Sequence, residues 1–175
     1  DGGLHGLRVF THGSTIGRPW MSICDPRAVP AWQCACDMGL PVATNAADLA
    51  EVDRLLVRFP DLVLILEHIA RPELSPGPDL GVAPLLHLGR HRNLHLRLTP
   101  RTFARARQAL VEPADYVAAL IGAFGSGRLM WGSYFPPAGG PLTDIVGEAK
   151  RVLAGFADAV RADVLGRTAR RVFGM

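Results

Sequence analysis

Arg128-Leu129-Met130-Trp131-Gly132-Ser133-Tyr134-Phe135-Pro136 reads as a short apolar strand running into a glycine, two polar side chains and a proline stop. Leu129, Met130 and Trp131 show no polar alternation, which is how a parallel strand covered on both faces is written. α/β folds keep their chemistry at the C-terminal ends of such strands. Ser133 and Tyr134 thereby become candidate site residues.

The same logic extends upstream. Residues 62–66 (Leu-Val-Leu-Ile-Leu) form an unbroken apolar run ending in Glu67 and His68, so His68 stands at the end of the most buried strand. Residues 4–11 and 40–44 read as two further strands, the first leaving through His12, Gly13 and Ser14 into a loop over 15–23, the second followed by Asn45. Residues 93–99 alternate as a strand should and carry Arg97, whose guanidinium suits a substrate carboxylate; alternation leaves its face open.

Helices are predicted between the strands. Asp25 as N-cap and Pro26 at the first helical position open one over 26–38, with Val29, Trp32 and Cys36 as its inner stripe. Leu49, Val52, Leu55, Leu56 and Phe59 recur at helical spacing, and Pro60 stops them. A proline-rich loop over 70–81 precedes a short helix at 82–89. Residues 113–124, 142–156 and 157–173 complete the set. Strand-helix alternation argues for parallel strands joined by right-handed crossovers. Both an open doubly wound sheet and part of a (β/α)8 barrel satisfy it. A complete barrel needs about 250 residues, so length alone favours the open sheet.

Composition narrows the function. The chain has 175 residues, 49% hydrophobic and 20% charged, enough for one domain with an ordinary core. No apolar run approaches the roughly 20 residues of a membrane helix, so a membrane role is not expected. The net charge of +3 comes from scattered arginines. The densest group, Arg97, Arg101, Arg105 and Arg107, includes only Phe103 as an aromatic, which fits a solvated helix face rather than a nucleic-acid surface. Cys24, Cys34 and Cys36 are odd in number, which argues against a disulfide scaffold and for the cytoplasm. His12, His87, His91 and His95 show no ligand spacing. The chain begins at Asp1 with no initiator methionine, as a piece of a longer protein would.

Four blocks in register resemble the amidohydrolase-related (amidohydrolase 2) family of metal-dependent hydrolases and decarboxylases. Gly3-Leu4-His5-Gly6-Leu7-Arg8 resembles the family's G-x-x-G-[VL]-R, and Gly39-Leu40-Pro41-Val42-Ala43-Thr44-Asn45 its G-L-P-V-x-x-H. Phe59-Pro60-Asp61-Leu62-Val63-Leu64-Ile65-Leu66-Glu67-His68 resembles F-P-x-L-x-[IV]-x-x-x-H, and residues 128–136 resemble R-[IL]-[ML]-[WF]-G-S-D-[FW]-P. The resemblance spans nearly the whole chain. It implies the last five βα units of a barrel, so that residues 1–175 are one domain and the C-terminal portion of a longer chain.

The resemblance further implies a divalent metal, zinc or manganese, held by an upstream H-x-H, a histidine after the fifth strand and an aspartate after the eighth. It places His68 as the histidine that polarises substrate or water. Asn45 stands at the fifth-strand ligand position and Tyr134 at the aspartate position. An amide oxygen offers zinc less than an imidazole does, and a phenol is a poor ligand for a hard cation. The expectation is a hydrolase acting on a small-molecule lactone, ester or amide, or a decarboxylase of a small carboxylic acid. His68 would be catalytic, and Asn45, Ser133, Tyr134 and Arg97 would bind substrate. The alternative is an inactive family member that binds or scaffolds. Five strands cannot close an eight-stranded barrel, so these residues alone would be expected to form a homo-oligomer.

Overall fold

The computed structural model describes residues 3–11, 21–46, 48–76 and 80–175. Five strands form one parallel sheet: β1 (Leu7–Val9), β2 (Val42–Thr44), β3 (Leu64–Glu67), β4 (Leu94–Leu98) and β5 (Leu129–Trp131). Their spatial order is their sequence order. A doubly wound sheet reverses its strand order at a switch point; this sheet never does, so it is an arc of a (β/α)8 barrel. Length had pointed the other way. The expected exit at His12 and most of the loop over 15–23 lie outside the described residues.

Helices cover the convex face. A 3-10 turn at Pro26–Ala28 runs into α1 (Val29–Asp37), and Asp25 caps the turn by accepting from the Arg27 N–H. Trp32 and Ala35 are the buried residues of α1. The expected stripe is thus rotated slightly, with Val29 and Cys36 half-buried. In α2 (Leu49–Arg58), Asp48 accepts from the N–H groups of Ala50 and Glu51, and Val52, Leu55 and Leu56 face inward. There follow α3 (Ala83–His87), α4 (Pro100–Gln108), α5 (Pro113–Phe124) and α6 (Leu142–Val152). The last predicted helix is two, α7 (Asp158–Ala162) and α8 (Thr168–Phe173), joined by a π-helical turn.

The register sorts the strand residues into two faces. Val42, Leu64, Leu66, Leu94, Leu96, Leu98 and Leu129 point outward into the main core. Arg8, Ala43, Ile65, Glu67, Arg97 and Met130 share the concave face. There Ala43, Ile65 and Met130 pack against Ala169, Val172 and Phe173, so the C-terminal helix closes the N-terminal end of the concave face and leaves the strand C-termini open.

Helix α4 begins directly at the end of β4. Thr99 and Thr102 form its capping box, and Pro100 occupies the first turn. It ends at Leu110, which is 86% exposed, has φ 57 and donates to the Arg107 carbonyl, while Val111 donates to the Ala106 carbonyl. This left-handed helix stop normally carries glycine. Leu110→Gly is expected to stabilise the protein by about 1 kcal/mol, read as a higher urea midpoint with unchanged slope.

Candidate active site

The C-terminal end of β3 leads into an unusual turn. His68, Ile69, Ala70 and Arg71 all have positive φ, at 52, 55, 53 and 53°. The turn is closed by the Arg71 N–H donating to the His68 carbonyl at 3.1 Å. Each non-glycine residue in this conformation costs on the order of 1–2 kcal/mol, and Ile69 is β-branched as well. Such strain persists only where the surroundings over-determine it. Here Ile69 and Ala70 are buried, and Arg105 of α4 donates to the carbonyls of Arg71 and Pro72 at 3.3 and 3.1 Å. The result turns His68 toward β4 and β5 and sets Arg71 beside α4.

His68 is 6% exposed. Its Nδ1 lies 2.9 Å from Thr99 Oγ1, and its ring meets that of Tyr134 edge-on, centroids 4.8 Å apart. Burial lowers its pKa to about 4, helped by the guanidiniums of Arg71, Arg101, Arg8 and Arg97. The imidazole is therefore neutral at pH 7, with Nε2 the ring nitrogen left for a ligand. The Arg101 guanidinium stacks over the Tyr134 ring at 4.6 Å. Tyr134, with φ 51, is thus clasped between the two.

Deeper on the concave face, Glu67 is 4% exposed and accepts from Arg97 Nη1 at 2.6 Å, with Arg8 Nε at 3.7 Å on the same oxygen. Arg97 therefore faces the barrel interior, but one of its donors is held by a protein carboxylate. Gly132 makes room for it: a Cβ there would stand 3.3 Å from Arg97 Cδ. Two cavities open at the strand ends. One of about 380 Å³ is lined by Arg8, Glu67, Arg97, Thr99, Tyr134 and Phe135, among others. The second, of about 250 Å³, is lined by His68, Arg71, Arg101, Thr102, Ala104, Arg105 and Gln108.

The expected site residues thus divide. His68, Tyr134 and Arg97 come to these cavities. Ser133 lines neither; its Oγ accepts from the Phe135 N–H at 3.3 Å inside the turn. Asn45, 8% exposed, uses its amide oxygen to accept from the Thr11 N–H at 2.9 Å, tying the end of β2 to that of β1. Thr99, Glu67, Arg71 and Arg101 join the site from outside the expected set. Thr99-Pro100 directly after a strand was the available signal for Arg101, since it starts a helix there.

A divalent metal does not fit the described residues. No cluster of three or more His, Cys, Asp or Glu side chains among them could hold one. The Asn45 oxygen is already engaged, and His68 sits among guanidiniums that repel a cation.

Parallel strands in barrel order, with polar side chains gathered at their C-terminal ends, define part of a (β/α)8-barrel domain. The chain belongs to the amidohydrolase family (amidohydrolase 2 type), whose family model matches residues 4–175. It is 29% identical over 118 residues to an L-fucono-1,5-lactonase of Burkholderia ambifaria, covering 65% of this chain and 41% of that protein. Among solved structures, a candidate 2-pyrone-4,6-dicarboxylic acid hydrolase from Pseudomonas putida superposes with TM-score 0.73 at 24% identity, over 98% of this chain and 63% of that one. An amidohydrolase from Burkholderia multivorans with bound zinc gives TM-score 0.71 at 18% identity, over 87% and 59%. The chain spans less than two thirds of the length of these relatives. No helix among the described residues is long and apolar enough to cross a membrane.

Proposed function

We propose that this chain supplies the last five βα units of an amidohydrolase-type barrel enzyme that opens a small-molecule lactone, with esters and amides as its wider substrate class. The observation that carries the reading is His68: neutral, buried and braced from behind by Thr99 where the cavities open. With the Thr99 hydroxyl donating to Nδ1, the proton sits on Nε2, which donates to the carbonyl oxygen as it gains negative charge. Arg8 and Arg97, fixed by Glu67, line the neighbouring wall. The likeness to a lactonase supports lactones over the other acyl substrates. Three free cysteines support a cytoplasmic setting.

A binding-only role is the second reading, favoured by the Tyr134 ring packed against His68 where the family pattern has an aspartate. One assay separates the two. The intact protein is offered sugar lactones, aryl esters, N-acyl amides and aromatic carboxylic acids, with acid release followed by a pH indicator and decarboxylation by ultraviolet absorbance. Lactone opening above the buffer rate is expected. Turnover of the aromatic acids alone would overturn the hydrolase reading in favour of decarboxylation, and no turnover of any class would leave binding alone.

A further inference from the structure

The two cavities at the strand ends divide the central pair of rings between them. His68 lines the smaller and not the larger, and Tyr134 lines the larger and not the smaller. The rings meet edge to face, centroids 4.8 Å apart. Thr99, the hydrogen-bond partner of Nδ1, lines the larger cavity, yet the imidazole itself is only 6% exposed. The Tyr134 ring is therefore the wall between His68 and the larger space.

That wall is fastened at its backbone and loosely held at its side chain. The Gly132 N–H donates to the Leu98 carbonyl at 2.9 Å, and the Tyr134 carbonyl accepts from the Ala138 N–H at 2.7 Å. The ring has only weaker partners, His68 against it and the Arg101 guanidinium over it at 4.6 Å. An edge-on aromatic pair and a solvent-exposed cation–π contact together favour the packed position by roughly ten-fold. Such a side chain turns about its own bonds far faster than a loop opens. It also has somewhere to go, because Phe135 in the wall of the same cavity is 52% exposed, which opens that space to solvent.

We propose that Tyr134 is a gate: packed on His68 it shuts the imidazole off from the larger cavity, and swung outward it joins the two spaces so that an acyl compound in the larger one meets His68. This rests on the reading of His68 as the group that meets the substrate carbonyl, and it adds a step of selection before the chemistry. A site open in about one molecule in ten binds its ligand about ten-fold more weakly than a permanently open one. Ligands that fill the larger cavity offset that loss through their contacts there, and smaller ones do not, so the gate selects by size. The gate belongs to the tyrosine itself, which stands where the resembling family pattern has the much shorter aspartate.

The test is carbethoxylation of the intact protein with diethyl pyrocarbonate at pH 7, with the rate at each histidine read by mass spectrometry. His95, buried near the start of β4, reports whether the fold is intact. Tyr134→Gly suits the left-handed backbone at φ 51 and is expected to speed labelling of His68 about ten-fold, with His95 unchanged. Tyr134→Phe keeps the ring and should label His68 within two-fold of wild type. Equal His68 rates in wild type and Tyr134→Gly overturn the gate, and so does an acceleration that His95 shares, which would report general loosening. Fast labelling in Tyr134→Phe would assign the closure to the hydroxyl and overturn the gating ring. Because labelling needs no turnover, Tyr134-dependent labelling in a protein that opens no lactone would refute the hydrolase reading alone. Lactone turnover with labelling indifferent to Tyr134 would refute the gate alone.

Discussion

Glu67→Ala is expected to destabilise the protein by about 2–3 kcal/mol, toward the lower end of what breaking a buried ion pair costs. The carboxylate is 4% exposed, whereas the Arg97 and Arg8 side chains are 24% and 50% exposed, so water compensates part of what the arginines lose. What remains is two guanidiniums on one concave surface with no anion between them, drawn from β1 and β4 toward the middle strand β3. Glu67→Gln keeps an acceptor for Arg97 but loses the charge and should cost about half as much. Urea denaturation of both variants, with Arg97→Ala and the Glu67→Ala/Arg97→Ala double variant, isolates the pair. A coupling energy above roughly 1 kcal/mol is expected for groups in contact. A Glu67→Ala protein within 0.5 kcal/mol of wild type would show that the carboxylate does not hold the arginines together.

The pillar formed by Glu67 illustrates what the sequence could and could not convey. Runs such as 62–66 announce a strand because every side chain is apolar, yet that uniformity hides which face each residue takes. The face is legible only where polarity breaks in at the strand end. Glu67, Arg97 and Arg8 are such breaks, but their shared face depends on the register between strands far apart in sequence. The strand order was likewise beyond local pattern, since the same alternation of strands and helices writes both an open sheet and a barrel. Helix α4 was half seen: Arg101, Arg105 and Arg107 do lie on it, but Arg97 is on the preceding strand, and the buried side of the helix rests on Thr102, Phe103 and Ala106. The turn at 68–71 left no trace, because left-handed residues are usually marked by glycine or asparagine and these four are not. The buried position of His68 at the end of β3 was legible for the opposite reason: a polar residue ending a fully apolar strand stands out, the more so where its neighbours are in register with a family pattern.

The largest expected effect is on turnover. His68→Ala should lower kcat/KM for the best lactone by about 10²- to 10³-fold, the usual cost of removing one hydrogen-bond donor to a developing oxyanion. Alanine at φ 52 also adds strain, so His68→Asn is the companion variant, because asparagine tolerates this conformation. Its short amide does not reach where Nε2 does, and it should be nearly as inactive while folding normally. The pH dependence supplies a second signature. With the folded-state pKa near 4 against an unperturbed 6.5, the unfolded chain binds more protons between these values. Stability therefore holds above about pH 6.5 and falls as pH drops toward 4, by up to about 3 kcal/mol from this residue. His68→Asn should remove that share of the slope, leaving the part due to His95, whose pKa burial also lowers. Turnover, by contrast, should show no loss near pH 6.5 attributable to His68 protonation, since the imidazole stays neutral until about pH 4 in the folded protein. A variant with wild-type turnover would remove His68 from the reaction, and an unchanged acid slope in His68→Asn would show that the imidazole is not held neutral by burial and by the arginines around it.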